Sequence, residues 1–311
     1  MKKVFNNFQR IVFIIQNDKR RTFVKILVLG GSSFFGKMLV EKLISQNDND
    51  VTIATRGLTK IDDEISSKVR HVVIDRTDYN ALMSTFGKEH FDVVYDQICF
   101  NPIEAKIAVD VFSGRVKRYV FTSSMAVYNG SEEVLIETDF DPSTYSTDLS
   151  LDTYSYKEGK RQAEAYFYQN SPFPVISVRP PLVISSDDKR FAFYINKVVR
   201  KEPIGTLGSS TLSFISANEV ANFLYHIGTK TDFTGPIHLC NSGYYNTEQL
   251  AKEIGKVVNV PPLFDKNEKS PYCLDQTLKI SNELANSIGF LFRSTESVIH
   301  ELVNDALRGM A

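Results

Sequence analysis

From Val24 onward, short and nearly uninterrupted apolar runs alternate with longer stretches whose apolar residues recur every three or four positions. Val24–Leu29, Val51–Thr55, Val69–Ile74, Phe91–Tyr95, Arg118–Thr122 and Val175–Val178 have strand length and little polar alternation, the pattern of strands covered on both faces. Helical periodicity fills about 36–45, 77–86, 103–113 and 155–169 between them. The repetition predicts parallel β-α-β units and a doubly wound α/β sheet.

Beyond Arg179-Pro180-Pro181 the regularity loosens. A helix is predicted near 190–200, an extended piece at Ser213–Ser216, a helix at Asn218–Ile227, a strand at Ile237–Cys240, and helices near 247–257 and 294–308. This part reads as a smaller mixed α/β domain covering the carboxyl ends of the parallel strands, where open α/β sheets bind ligands. Before Val24, Lys2 and Lys3 precede the apolar run Ile11–Ile15. Five residues are too few for a secretory segment (about 7–15) or a membrane span (about 20). Phe5, Phe8, Val12 and Ile15 fall at helical spacing, so a short amphipathic helix or an upstream start are the readings, and residues 1–24 receive no function.

Composition narrows the classes. The 311 residues carry 36 Lys+Arg against 37 Asp+Glu, a formal charge of −1, which gives no electrostatic footprint for nucleic acid. Cys99, Cys240 and Cys273 are scattered and form no C-x-x-C pair, which fits a reducing cytoplasm. The five histidines show no metal-ligand spacing, so no metal is expected.

Candidate chemistry begins at Gly30-Gly31-Ser32-Ser33-Phe34-Phe35-Gly36, between the first strand and the first helix. In a Rossmann-type unit such a loop makes a tight turn at its first glycine, packs helix on strand at its last, and offers free N–H groups and a positive dipole to a pyrophosphate. The second strand ends in Arg56-Gly57 with no acid at its tip, which favours the 2′-phosphate of NADP over the ribose hydroxyl of NAD. Ser32 or Ser33 can add a hydroxyl to the same phosphate. Asp75, followed by Arg76 at the end of the third strand, is placed to meet the adenine edge, with a cap on the next helix as the competing reading.

Tyr156 and Lys160 are spaced i, i+4 on one helical face, and an adjacent ammonium favours the phenolate of a tyrosine. Ser124 ends the Arg118–Thr122 segment in hydroxyls, at the sheet edge, within reach of a substrate oxygen. Phosphate loop, serine-ending strand and Tyr/Lys helix occur in the chain order that a hydride-transfer site needs.

With these residues in place the chain resembles the short-chain dehydrogenase/reductase superfamily, in its extended branch of nucleotide-sugar epimerases, dehydratases and reductases. The resemblance runs from about Lys25 to the C-terminus and rests on Gly30–Gly36, Asp75, Phe121-Thr-Ser-Ser124-Met-Ala-Val-Tyr128, Tyr156–Glu164, Val178-Arg179-Pro180 and Phe214–Ala221. It implies that Ser124, Tyr156 and Lys160 are catalytic, that Lys160 also holds the nicotinamide ribose, and that Arg179 and the segment after it border the cofactor and sugar pocket. Residues 25–179 are then the NAD(P)-binding domain and 180–311 the substrate-binding cap, some of whose segments return to the first domain. Two departures stand out: Ser33 replaces the middle glycine, as in the atypical branch, and Met125-Ala126 replaces the Asp-Glu pair of the 4,6-dehydratases. Dehydration is therefore disfavoured. The expected function is an NAD(P)-dependent epimerase acting on a nucleotide-activated sugar, with NADPH-dependent carbonyl reduction as the alternative. A non-catalytic NADP-sensing or RNA-binding member is the reading from another class. A homodimer through the helices near 103–113 and 155–169 is a further expectation.

Overall fold

The computed structural model describes residues 24–310, so the amphipathic helix expected over Phe5 to Ile15 lies outside the described residues. The strands are β1 (Val24–Leu29), β2 (Asn49–Thr55), β3 (Arg70–Val73), β4 (Phe91–Asp96), β5 (Val116–Thr122), β6 (Val175–Arg179), β7 (Leu182–Ile184), β8 (Pro203–Gly205), β9 (Phe214–Ser216), β10 (Gly235–His238) and β11 (Leu263–Asp265). The helices are α1 (Phe34–Ile44), α2 (Asp63–Ser66), α3 (Tyr79–Phe86), α4 (Pro102–Phe112), α5 (Tyr156–Asn170), α6 (Lys189–Val199), α7 (Ala217–Thr229), α8 (Thr247–Val258), α9 (Glu283–Ser287) and α10 (Thr295–Met310). The elements expected from periodicity form within a few residues of their predicted ends. α2, α9, β7, β8 and β11 were not predicted, since three to five residues are too few to show a period.

Seven strands make one parallel sheet in the order β10-β6-β5-β4-β1-β2-β3. Successive strand residues explain why the apolar runs are continuous. Ile26 and Val28 of β1 join one buried cluster with Leu39 and Val40 of α1 and Phe223 and Leu224 of α7. Leu27 and Leu29 join another with Ala105 and Ala108 of α4 and Ala163 and Phe167 of α5. The winding reverses between β1 and β4, which pair through Leu29 and Asp96, so a crevice opens at the ends of these two strands.

α7 packs on α1, and β10 hydrogen-bonds to β6, so residues 217–238 belong to the central layers although they follow Arg179 in sequence. Most of the remaining C-terminal elements share a second core around Phe191, Tyr194, Leu250, Ile254, Val298 and Val303, joined by Met125, Tyr128 and Phe140, with the short parallel pairs β7–β9 and β8–β11, whereas α9 adds Ala285 to the first cluster. Among the described residues no helix is long and apolar enough to cross a membrane.

Candidate active site

The glycine loop is fixed by contacts that only hydrogen can make. Gly30 has φ +88°, and a Cβ on Gly36 would lie 2.5 Å from the Gly30 carbonyl oxygen, so the start of α1 packs on the turn itself. Ser33, the departure from the glycine pattern, sits at φ −151° and ψ 164°, extended backbone that serine adopts without strain. The left-handed position is Phe34 (φ 49°), one residue later. Ser33 makes no side-chain cap, which leaves the first N–H groups of the eleven-residue α1 uncapped by that side chain. This cradle fits a pyrophosphate.

A cavity of about 580 Å³ opens between this loop, the ends of β4 and β5, the start of α5 and the cap. Ser155 caps α5 by accepting from the Glu158 N–H, which starts the helix at Tyr156 and turns its first residue to the cavity. Gly159 lets the helix approach closely, because a Cβ there would come within 2.2 Å of the Phe100 carbonyl oxygen. Tyr156 and Phe100 thereby lie side by side, ring centroids 6.5 Å apart.

Ser124, Tyr156 and Lys160 all line the cavity. The Ser124 Oγ accepts from the Ala126 N–H at 3.1 Å, which orients it at the start of a short 3₁₀ turn. Tyr156 is 56% exposed, and the Ser124 hydroxyl is near enough to act on its phenol. Lys160 is buried, and its ammonium donates to the carbonyls of Cys99 and Thr122, both at 2.7 Å, with the Phe100 ring centroid 4.6 Å away. An ammonium has three donors, so one remains for a ligand oxygen.

Burial pushes the Tyr156 phenol up, and the Ser124 hydroxyl pulls it partly back. Lys160 gives two of its donors to carbonyls and stands 5.9 Å from the tyrosine ring centroid. Its own burial lowers its pKa to about 8.

Two expected cofactor contacts are corrected. Arg76 is buried and bound to the Asp96 carboxylate and the Glu104 carbonyl, away from the cavity wall. Arg179 is fully buried: it grips Glu164 through Nε and Nη2, Tyr128 through Nη1, and the Glu137 and Phe140 carbonyls at 2.7 and 3.1 Å. Each guanidinium left water only because a buried carboxylate was there to meet it. Asp75 turns back on its own loop, accepting from the Thr77 N–H and hydroxyl, which hold its carboxyl below the usual range. Asp78, not Asp75, caps α3. Arg56 is exposed beyond the end of β2, and its charge reaches Asp75.

The Arg179 cluster still serves the site. Ser123 donates to Glu164 at 2.6 Å, so one carboxylate ties α5 to the end of β5 next to Ser124 and to the end of β6. His238 completes the cluster, with Nε2 accepting from the Tyr128 hydroxyl and Nδ1 donating to the Ser281 carbonyl. Burial, helped by the Arg179 charge, lowers its pKa to about 3. The ring is neutral, and the Glu137 oxygen 3.5 Å from Nδ1 makes no ion pair with it.

Sequence reasoning missed Gln97 and Arg190 on the cavity wall, and also Leu274 and Leu278 from the far end of the chain. None of them sits in a pattern that marks it.

The model of the NAD(P)H-binding family matches residues 30–230, nearly two thirds of the chain. This chain belongs to the NAD(P)H-binding family. The match agrees with the Rossmann fold and with a nicotinamide dinucleotide as cofactor. The chloroplast stem-loop binding protein of 41 kDa b from Arabidopsis thaliana is 26% identical over 256 residues, 76% of this chain and 64% of that protein, so this chain spans less than two thirds of that relative. UDP-glucuronic acid decarboxylase 6 from Arabidopsis thaliana is 25% identical over 263 residues, 76% of this chain and 74% of that protein. The structure of UDP-glucose 4-epimerase from Thermotoga maritima with UDP-glucose superposes with a TM-score of 0.72 at 15% identity, covering 92% of this chain and 99% of that one.

Proposed function

We propose that this family member is an enzyme that transiently oxidises a nucleotide-activated sugar, with epimerisation as the net reaction. The observation that carries the reading is that Ser124, Tyr156 and the buried Lys160 line one cavity, which the end of the glycine loop also borders through Phe34 and Phe35. The bound nicotinamide would supply a reversible hydride acceptor. In this reading Tyr156 works as its phenolate, whose Oη takes the proton of a sugar hydroxyl and later returns it. Ser124 Oγ hydrogen-bonds the same sugar oxygen and keeps it facing Tyr156. Lys160 presents its remaining N–H to a ligand oxygen, and its positive charge favours the tyrosine phenolate. Phe34, Phe100, Met125 and Leu274 form apolar walls that limit water at these oxygens.

The relatives do not favour the carbonyl reductase alternative. Met125-Ala126 after Ser124 offers no acid to expel water, which supports epimerisation over dehydration. Proton NMR of UDP-hexoses and UDP-glucuronic acid incubated with the full chain and NAD(P) is expected to show resonances of an epimer. A UDP-pentose instead would make the net reaction decarboxylation, and unchanged substrates throughout would contradict the enzyme reading.

For the cofactor, Arg56 at the β2 tip supports NADP over NAD. Arg56→Asp is expected to weaken NADPH binding by about 10- to 100-fold, the worth of a charge-assisted contact, while leaving or improving NADH binding, as read by calorimetry. Equal effects on both would contradict the preference.

A second reading has one specific observation behind it, the likeness to the stem-loop binding protein. Retention on RNA that falls steeply with salt, together with unchanged sugar nucleotides, would favour it. The near-zero net charge weighs against it.

A further inference from the structure

We propose that Gln97 is a cofactor-positioning residue whose side-chain amide donates a hydrogen bond to an oxygen of the bound dinucleotide. The inference rests on the reading of the cavity as a dinucleotide site and adds to it a side chain that no glycine-loop or Tyr/Lys pattern contains.

Gln97 is the first residue after β4, and its backbone N–H donates to the Leu29 carbonyl at 3.0 Å, which pins it beside the start of the glycine loop. A Cβ on Gly30 would lie 3.5 Å from the Gln97 Cβ. The side chain is 8% exposed and lines the cavity. Its Oε1 accepts from the Thr122 hydroxyl at 2.8 Å, and Thr122 is also one of the two residues whose carbonyls hold Lys160. The amide is thus tethered at its oxygen, whereas Nε2, itself buried, has no protein partner.

A buried donor without an acceptor lowers stability. The same wall holds the Lys160 ammonium with one donor to spare, and across the cavity stands the loop that leads to the uncapped N–H groups of α1. Unmet donors of two residues on the wall of one cavity call for a ligand rich in acceptors. The phosphate and ribose oxygens of a dinucleotide provide them.

Calorimetric titration of the full chain with NADPH and NADH, paired with thermal melting of the cofactor-free protein, tests this. Gln97→Met keeps length and volume but lacks the donor. It is expected to raise the dissociation constant about tenfold, while the cofactor-free chain still melts cooperatively, its melting temperature lowered only by the lost Thr122 hydrogen bond. Gln97→Glu, which replaces donor by acceptor, is expected to bind still more weakly. Wild-type affinity in either variant overturns the assignment alone. Loss of the cooperative melting transition in cofactor-free Gln97→Met also overturns it, because the residue would then be structural. Failure of the wild-type chain to bind any nicotinamide dinucleotide overturns this assignment together with the cofactor reading beneath it.

Discussion

Tyr156→Phe is expected to lower turnover of the sugar nucleotide by about a thousandfold while the cofactor dissociation constant stays within about twofold, the size of a lost acid-base group. The substitution removes one oxygen. The ring beside Phe100 is retained, and Lys160 keeps its bonds to Cys99 and Thr122, since neither involves the phenol. Ser124 remains oriented by the Ala126 N–H. Steady-state kinetics and calorimetry on the same preparation check both halves. A variant that turns over at the wild-type rate would remove Tyr156 from the mechanism, and one that loses cofactor binding in parallel would make it a binding residue.

The largest expected effect on stability lies at Arg179. Arg179→Met is expected to cost about 3–5 kcal/mol, because Glu164 would stay behind as an uncompensated charge in a site sealed from water. For a chain of this size that lowers the melting temperature by roughly 10 °C. Adding Glu164→Leu to Arg179→Met should recover much of the loss, as an apolar pair needs no counter-charge. Denaturant unfolding of the single and double variants measures this. No recovery in the double variant would mean that Tyr128, Ser123 and the Glu137 and Phe140 carbonyls carry more of the cluster than the Arg–Glu pair does.

The same residue shows where sequence reading reaches its limit. An arginine at the carboxyl end of a parallel strand looks like an anion ligand, and Arg76 and Arg179 both stand in such places. Their partners, Asp96 and Glu164, lie 20 and 15 residues away, and only folding brings them into contact. The loop and the helix pair were legible because their logic is local. Gly30 and Gly36 touch each other, and Tyr156 and Lys160 share one face of α5. Gly159 sits between those two in plain view, yet its reason is the Phe100 carbonyl across the crevice. Gln97 is a single amide after an apolar strand, without period or motif, and its significance rests on burial and an unmet donor. Ser33 illustrates the reverse case: a departure from the pattern that the extended backbone at that position accommodates.

Reduced-nicotinamide absorbance after rapid mixing of the oxidised cofactor complex with a panel of sugar nucleotides tests the central claim most directly. With at least one of them the wild-type chain should show a rise in absorbance that decays as the epimer forms, and the Tyr156→Phe chain should show none. A cofactor-loaded wild-type chain that gives no absorbance change with any sugar nucleotide would contradict the account.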